Sequence, residues 1–242
     1  MQSKAKQIAL VTGANKGIGF EVARQLAASG CIVLLGARDE TLGKEAAGKL
    51  AAGNLDVRFV PIDVTELSTI TAAAENISRN FGRLDILVNN AGINDPADGP
   101  ALTAHLDAVE RVLRTNFLGA LAVTQAMLPL LRNSAAGRIV NVSSGLGSLT
   151  RSASSNPSST NLIGYSASKA ALNMLTVQLA RLLSDTAIKV NSAAPGYTAT
   201  DLNGFRGTQT IPEGAVEPVR LALLPDDGPT GSCSERAGIV PW

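Results

Sequence analysis

Apolar and polar positions alternate in blocks along this chain. Residues 7–12 are a short apolar run and predict a buried strand. Ile18, Val22 and Leu26 then recur every fourth residue on one face, predicting a helix over 17–29 that Gly30 stops. The same rhythm predicts strands at 31–36, 56–61, 84–89, 138–143 and 188–193. Between and after them it predicts helices at 39–52, 66–81, 102–114, 117–132, 164–184 and 212–224. Residues 145–161 are rich in Gly, Ser, Thr, Asn and Pro and read as a loop, and 226–242 reads as a turn-rich tail.

Strands that are apolar on both faces, each followed by a helix, indicate a parallel sheet covered on both sides. Right-handed crossovers then give a doubly wound α/β sheet of the Rossmann type, of about seven strands. No linker divides the chain, so residues 1–242 are expected to form one domain.

Composition narrows the partners. The chain has 45% apolar residues, 21 Lys plus Arg and 20 Asp plus Glu. That near-balance predicts no nucleic acid and no acidic membrane surface as partner, and leaves a local phosphate site as the place where charge acts. Cys31 and Cys233 form no disulfide framework, which predicts a reduced, cytoplasmic setting. The single histidine, His105, sits in a helix-like stretch and reads as structural or surface, so no metal site is expected. No apolar run approaches a signal core or a membrane span.

The segment Thr12-Gly-Ala-Asn-Lys-Gly-Ile-Gly19 follows the first strand and opens the first helix. Gly13 permits a tight turn, while Gly17 and Gly19 let backbone approach a pyrophosphate at the positive end of the helix. The bland alternative, a tight turn with no ligand, does not need three glycines in that context. At the end of the second strand a ribose-binding carboxylate would favour NAD, but the sequence there reads Gly36-Ala37-Arg38-Asp39. Arg38, with Lys16 in the glycine loop, fits a 2′-phosphate and favours NADP(H). The competing reading keeps both cations in solvent and sends Asp39 back to the ribose.

Tyr165 and Lys169 are one helical turn apart, so the phenol and the ammonium share a face. A nearby cation, with the positive end of a nicotinamide, favours the phenolate and brings a tyrosine into range for proton transfer at neutral pH. Ser143 and Ser144 end the fifth strand at the carboxyl edge, where ligands of open α/β sheets sit. Ser144 there can hydrogen-bond a substrate oxygen, and simple strand-end capping accounts for one of the pair.

Taken with Asn89-Asn-Ala-Gly92, Thr115-Asn116-Phe117, Val142-Ser-Ser144 and Pro195-Gly196, these motifs resemble the short-chain dehydrogenase/reductase family over the whole chain. The ending, from Pro218 through Leu221-Ala-Leu-Leu-Pro225 to Trp242, is similar to its carbonyl reductase branch. The resemblance implies Ser144, Tyr165, Lys169 and Asn116 as the catalytic set, with Asn116 holding a water in a proton relay. It implies a cofactor site of Gly13, Asn15, Lys16, Gly17, Ile18, Gly19, Arg38, Asp63, Val64, Asn90, Ala91, Gly92, Tyr165, Lys169, Pro195, Gly196 and Thr198. It also implies a small carbonyl or alcohol substrate. Two features depart from the family pattern: a Ser-rich insert before Tyr165, and Ser232-Cys-Ser234 where bulky residues are usual.

The activity so implied is NADPH-dependent reduction of a ketone or aldehyde. A reductase of carrier-bound 3-oxoacyl groups ranks second, because the stretch after Gly196 offers only Arg206 for a carrier phosphate. A silent NADP-binding sensor is disfavoured by the intact Ser144, Tyr165 and Lys169. The insert 151–161 is expected to be a mobile flap. Apolar residues around most of the circumference of helices 117–131 and 167–183 predict a homodimer or homotetramer.

Overall fold

The computed structural model describes residues 6–156 and 161–242. Among them eight strands form one sheet: β1 (Ile8–Val11), β2 (Ile32–Ala37), β3 (Val57–Pro61), β4 (Ile86–Asn89), β5 (Arg138–Val142), β6 (Lys189–Ala193), β7 (Cys233–Glu235) and β8 (Gly238–Ile239). Their order is β3-β2-β1-β4-β5-β6-β7-β8, all parallel except the last pair. The chain runs outward from β1 to β3 and then returns to place β4 on the other side of β1. The crevice for a ligand lies at that reversal, at the carboxyl ends of the strands.

Eight α-helices flank the sheet among the described residues: α1 (Gly17–Ala28), α2 (Glu40–Ala51), α3 (Leu67–Phe81), α4 (Leu106–Leu113), α5 (Ala120–Arg132), α6 (Leu149–Ser154), α7 (Ile163–Leu182) and α8 (Ile211–Ala222). Successive strand residues enter opposite cores because side chains alternate across a strand. Ala9, Val11, Val33, Leu35, Ile86 and Val88 pack with Val22 and Leu26 of α1 and Leu221 of α8. Ile8, Leu10, Leu34 and Leu87 pack with Ile70 and Ile77 of α3 and Val123 and Met127 of α5.

A buried polar ladder crosses the second face. Asn89 Nδ2 donates to Thr124 Oγ1 (2.9 Å) and to Asn141 Oδ1 (2.9 Å). Asn141 Nδ2 donates to Thr176 Oγ1 at 2.8 Å, and Thr176 shares a 2.8 Å bond with Ser192. Asn89, Asn141 and Ser192 are register partners on β4, β5 and β6. The ladder thus fastens α5 and α7 to the sheet through side chains that are at most 4% exposed.

Three sequence expectations are corrected. The helix expected from 102 starts at Leu106, because 101–104 turn on Pro100, whose carbonyl accepts from the Thr103 and Ala104 amides. It is also not separate from the next helix: a π-helical turn, Arg114–Gly119, joins α4 to α5. The loop expected over 145–161 is ordered in its first part. A 3₁₀ turn at Gly145–Gly147 leads into α6, which Ser148 caps by accepting the Arg151 amide (3.1 Å). Arg151 makes a two-pronged ion pair with Glu235 of β7, so the expected flap is tied down at its start; residues 157–160 of the insert lie outside the described residues. The tail is not merely turns. Cys233 and Ser234 pair with β6, and their small side chains seat β7 between Ala194 and Glu217, which brings the sheet to eight strands among the described residues, in line with the expected seven or so.

Candidate active site

The glycine loop is held from β4. Thr12 Oγ1 accepts the amides of Asn90 and Ala91, both at 3.1 Å, and Asn90 Nδ2 donates to the carbonyls of Thr12 (2.9 Å) and Gly13 (3.1 Å). A Cβ on Gly13 would stand 2.8 Å from the Ala91 Cα, so only glycine lets the two segments meet. Gly17 has φ +59 and faces Thr200. No side chain caps the first turn of α1, and no acid lies in it. An uncapped helix start lined by glycine is a fit for a pyrophosphate.

At the end of β2 the carboxylate of Asp39 accepts the Leu42 amide at 2.9 Å and caps α2. Arg38 is exposed and pairs with no carboxylate among the described residues. Lys16 differs from its expected freedom: it is ion-paired to Asp201 in the segment after β6. Asp63 is partly buried and accepts from the amide (2.9 Å) and hydroxyl (2.7 Å) of Thr65. Beside it Val64 meets the π-helical turn so closely that a Cβ on Gly119 would clash with it. Asn15 and Ile18 flank the loop, half-buried.

Beyond β6, Gly196 takes φ +77 with the Gln209 amide packed against it. Thr198 is buried and its hydroxyl donates to the Pro195 carbonyl at 3.3 Å.

The candidate chemical groups gather at the ends of β4 and β5. Ser143 is 2% exposed and its hydroxyl donates to the Lys169 carbonyl (3.4 Å), which makes it structural. The hydroxyl of Ser144 is the one near enough to the Tyr165 phenol to act on it, and it works against the effect of burial. Burial pushes the phenol up to about 12, against the opposing effect of Ser144. Burial pushes the Lys169 ammonium down to about 8. Lys169 Nζ lies 5.5 Å from the Tyr165 ring centre and donates to the Val142 carbonyl at 2.8 Å. Within the protein alone, desolvation therefore outweighs the lowering of the phenol expected from the lysine.

Gly92 leaves room beside this group, since a Cβ there would be 3.6 Å from Lys169 Nζ and 3.3 Å from Asn116 Oδ1. Asn116 is in the π-helical turn, a local widening frequent at functional sites. Its side chain is fully engaged: it accepts the Ile93 amide (2.8 Å) and donates to the Ile93 carbonyl and to Ser168 Oγ, each at 3.0 Å.

The four expected catalytic positions thus lie together; of the expected cofactor positions, Gly13, Asn90 and Ala91 are joined directly, while Lys16 is held by Asp201. Sequence reasoning missed Thr12, Asp98, Ser168, Thr200 and Asp201. All but Thr200, whose bonds are to Asn203 and Phe205, act through a partner distant in sequence, which local motif spacing does not reveal. The signal for Thr200 was its place five residues after Pro195.

Residues 7–210 match the family profile described as short chain dehydrogenase. The chain is 35% identical to salutaridine reductase of Papaver bracteatum, covering 96% of each. It is 36% identical to carbonyl reductase (NADPH) 1 of Mus musculus, covering 99% of this chain and 100% of that one. Those alignments run over 301 and 285 positions, more than the 242 residues here, so both relatives carry internal segments this chain lacks. Among solved structures it superposes on NADPH-bound carbonyl reductase from chicken fatty liver with a TM-score of 0.87 at 28% identity, over 98% of this chain and 99% of that one. The chain belongs to the short-chain dehydrogenase/reductase family, oxidoreductases that work with a nicotinamide cofactor.

Proposed function

We propose that this protein reduces a ketone or aldehyde to the alcohol with NADPH. The observation that carries the proposal is the meeting of the Ser144 hydroxyl and the Tyr165 phenol at the carboxyl edge of the sheet, with Lys169 under the ring. NADPH, when bound, supplies the hydride. Ser144 orients the carbonyl oxygen, and Tyr165 donates a proton to it as negative charge develops there. A phenol held protonated by burial is suited to that direction. Lys169 returns the proton from solvent, and the π-helical turn at Asn116 lies beside it as the place for a relay water.

Arg38 supports the 2′-phosphorylated cofactor, because Asp39 is already spent on capping α2. The names of the mouse and chicken proteins point the same way. The working form is a homodimer or homotetramer in the cytoplasm. The test is NADPH oxidation against a panel of ketones and aldehydes, with Tyr165→Phe alongside. Turnover should collapse in the variant while NADPH binding persists. A variant that keeps most of its activity would show that Tyr165 is not the acid.

A further inference from the structure

The helix that carries Tyr165 and Lys169 does not cap itself. The residue before it, Leu162, offers no side-chain acceptor to the first turn. Its three leading amides are instead satisfied by the loop between β4 and α4. The Gly99 carbonyl accepts from Ile163 (2.9 Å). Asp98 Oδ1 accepts from Gly164 (2.9 Å), and Asp98 Oδ2 accepts from Tyr165 itself (2.8 Å). Asp98 also accepts the Gly99 amide at 2.9 Å, and the residue is 8% exposed.

The approach is built for this contact. A Cβ on Gly164 would stand 3.1 Å from both Asp98 Oδ2 and the Val109 Cα of α4. The residue before the tyrosine must therefore be small for the carboxylate to reach the backbone.

We propose that Asp98 is the positioning residue of the active site: its carboxylate fixes the backbone of Tyr165 and thereby the place of the phenol against Ser144. Two arguments support a positioning role over plain loop stability. First, a carboxylate at a helix start forms charge-assisted bonds with amides that carry the positive end of the helix dipole, which are stronger and shorter than neutral ones. Second, the loop has a separate tie to the body, the ion pair of Asp95 with Arg111 of α4 (2.9 Å). Asp98 is not needed merely to hold the loop down. One of its three bonds ends on Tyr165, the proton donor of the proposed reaction.

The inference rests on the reductase reading for its kinetic arm only. In Asp98→Ala, kcat for carbonyl reduction should fall about 100-fold, the scale of a misplaced reacting group. In Asp98→Asn, which keeps the volume and one acceptor, it should fall about 10-fold. The KM for NADPH should move by less than about twofold in both, as for an interaction made only in the transition state. Asp95→Asn, which frees the other tie, should leave kcat within about twofold.

A second arm needs no activity. The chain has two tyrosines, so Tyr197→Phe leaves Tyr165 alone. The ¹³Cζ resonance of labelled Tyr165 in that background should shift or broaden on Asp98→Asn. If Asp98→Ala does not fold, Asp98→Asn decides. The proposal is overturned if Asp98→Asn keeps most of the parent kcat, if Asp95→Asn loses as much, or if the Tyr165 resonance is unchanged. Should the parent protein reduce no carbonyl at all, the reductase reading fails and the resonance still decides the role of Asp98.

Discussion

Asp39 and Leu42 are joined by a 2.9 Å bond from amide to carboxylate, which commits the Asp39 side chain to the start of α2. A carboxylate committed to a helix start is a poor acceptor for a ribose hydroxyl. The guanidinium of Arg38 is exposed and has no carboxylate partner among the described residues. Arg38→Asp should lower kcat/KM with NADPH by about 10- to 100-fold, the worth of one or two charged hydrogen bonds. It should leave NADH unchanged or improved. Steady-state kinetics with both cofactors would check it, and equal efficiency with both in the unaltered protein would sink the assignment.

Asp201 and a 2′-phosphate should compete for Lys16. Their pair is more than a third exposed on each side, so it adds little stability, about 0–1 kcal/mol. The bond from Lys16 holds Asp201 below the usual carboxylate range. What stability the pair gives is therefore present above the ordinary carboxylate value and lost as pH falls through the lowered one. Asp201→Asn frees Lys16, so NADPH should bind about 3-fold more tightly, a modest screened gain. NADH should not respond. Fluorescence titration would detect the difference, and an unchanged NADPH-to-NADH ratio would show that Lys16 has no part in cofactor choice.

Lys169 costs stability. Its folded value near 8 lies below the ordinary 10.5, so between those values the unfolded chain binds more protons and stability rises with pH. Below about 8 the penalty is present in full. Lys169→Met removes the charge, though it leaves the Val142 carbonyl without its donor. The net result at pH 7 should be an increase of ~2 kcal/mol in unfolding free energy together with loss of turnover. The gain should vanish above pH 10. Urea unfolding at the two pH values would test this, and a destabilised variant at pH 7 would contradict it.

The outer surfaces of the central helices predict assembly. Leu118 of the π-helical turn and Met174 and Leu182 of α7 are 51%, 57% and 68% exposed. Around them Leu121, Ala122, Ala170 and Ala171 are only half-buried. An apolar surface of this kind is uncommon on a soluble monomer. Light scattering at micromolar concentration should give a multiple of the 24.9 kDa chain mass. A single species at that mass would rule the assembly out.

Much of this could be read from the chain. Ile18, Val22 and Leu26 announced α1 by period, and the both-sided apolar strands announced a parallel sheet. Tyr165 and Lys169 were legible because one helical turn is a local distance. What escaped was set by tertiary contact. The start of α4 depends on a turn at Pro100, and the join at Arg114–Gly119 on a π-helical widening that carries no compositional mark. Residues 149–154 formed a helix despite three serines nearby, because Ser148 caps it and Glu235, 84 positions away, anchors Arg151. Asp98 looked like one more polar loop residue. Only its meeting with Gly164 and Tyr165 gives it meaning.

The ladder of Thr124, Asn89, Asn141, Thr176 and Ser192 has a consequence for how such a site can change. A helix resting on a purely apolar sheet has several seats of similar energy. Advancing α7 by one residue would turn Thr176 by about 100°. That would strand the Asn141 amide and the Ser192 hydroxyl in the core, at about 1–3 kcal/mol each. The helix is thus indexed from beneath, by groups no substrate reaches. Loops at the rim are free to be lengthened, shortened or reshaped for a different carbonyl compound while the phenol and the serine hydroxyl keep their separation.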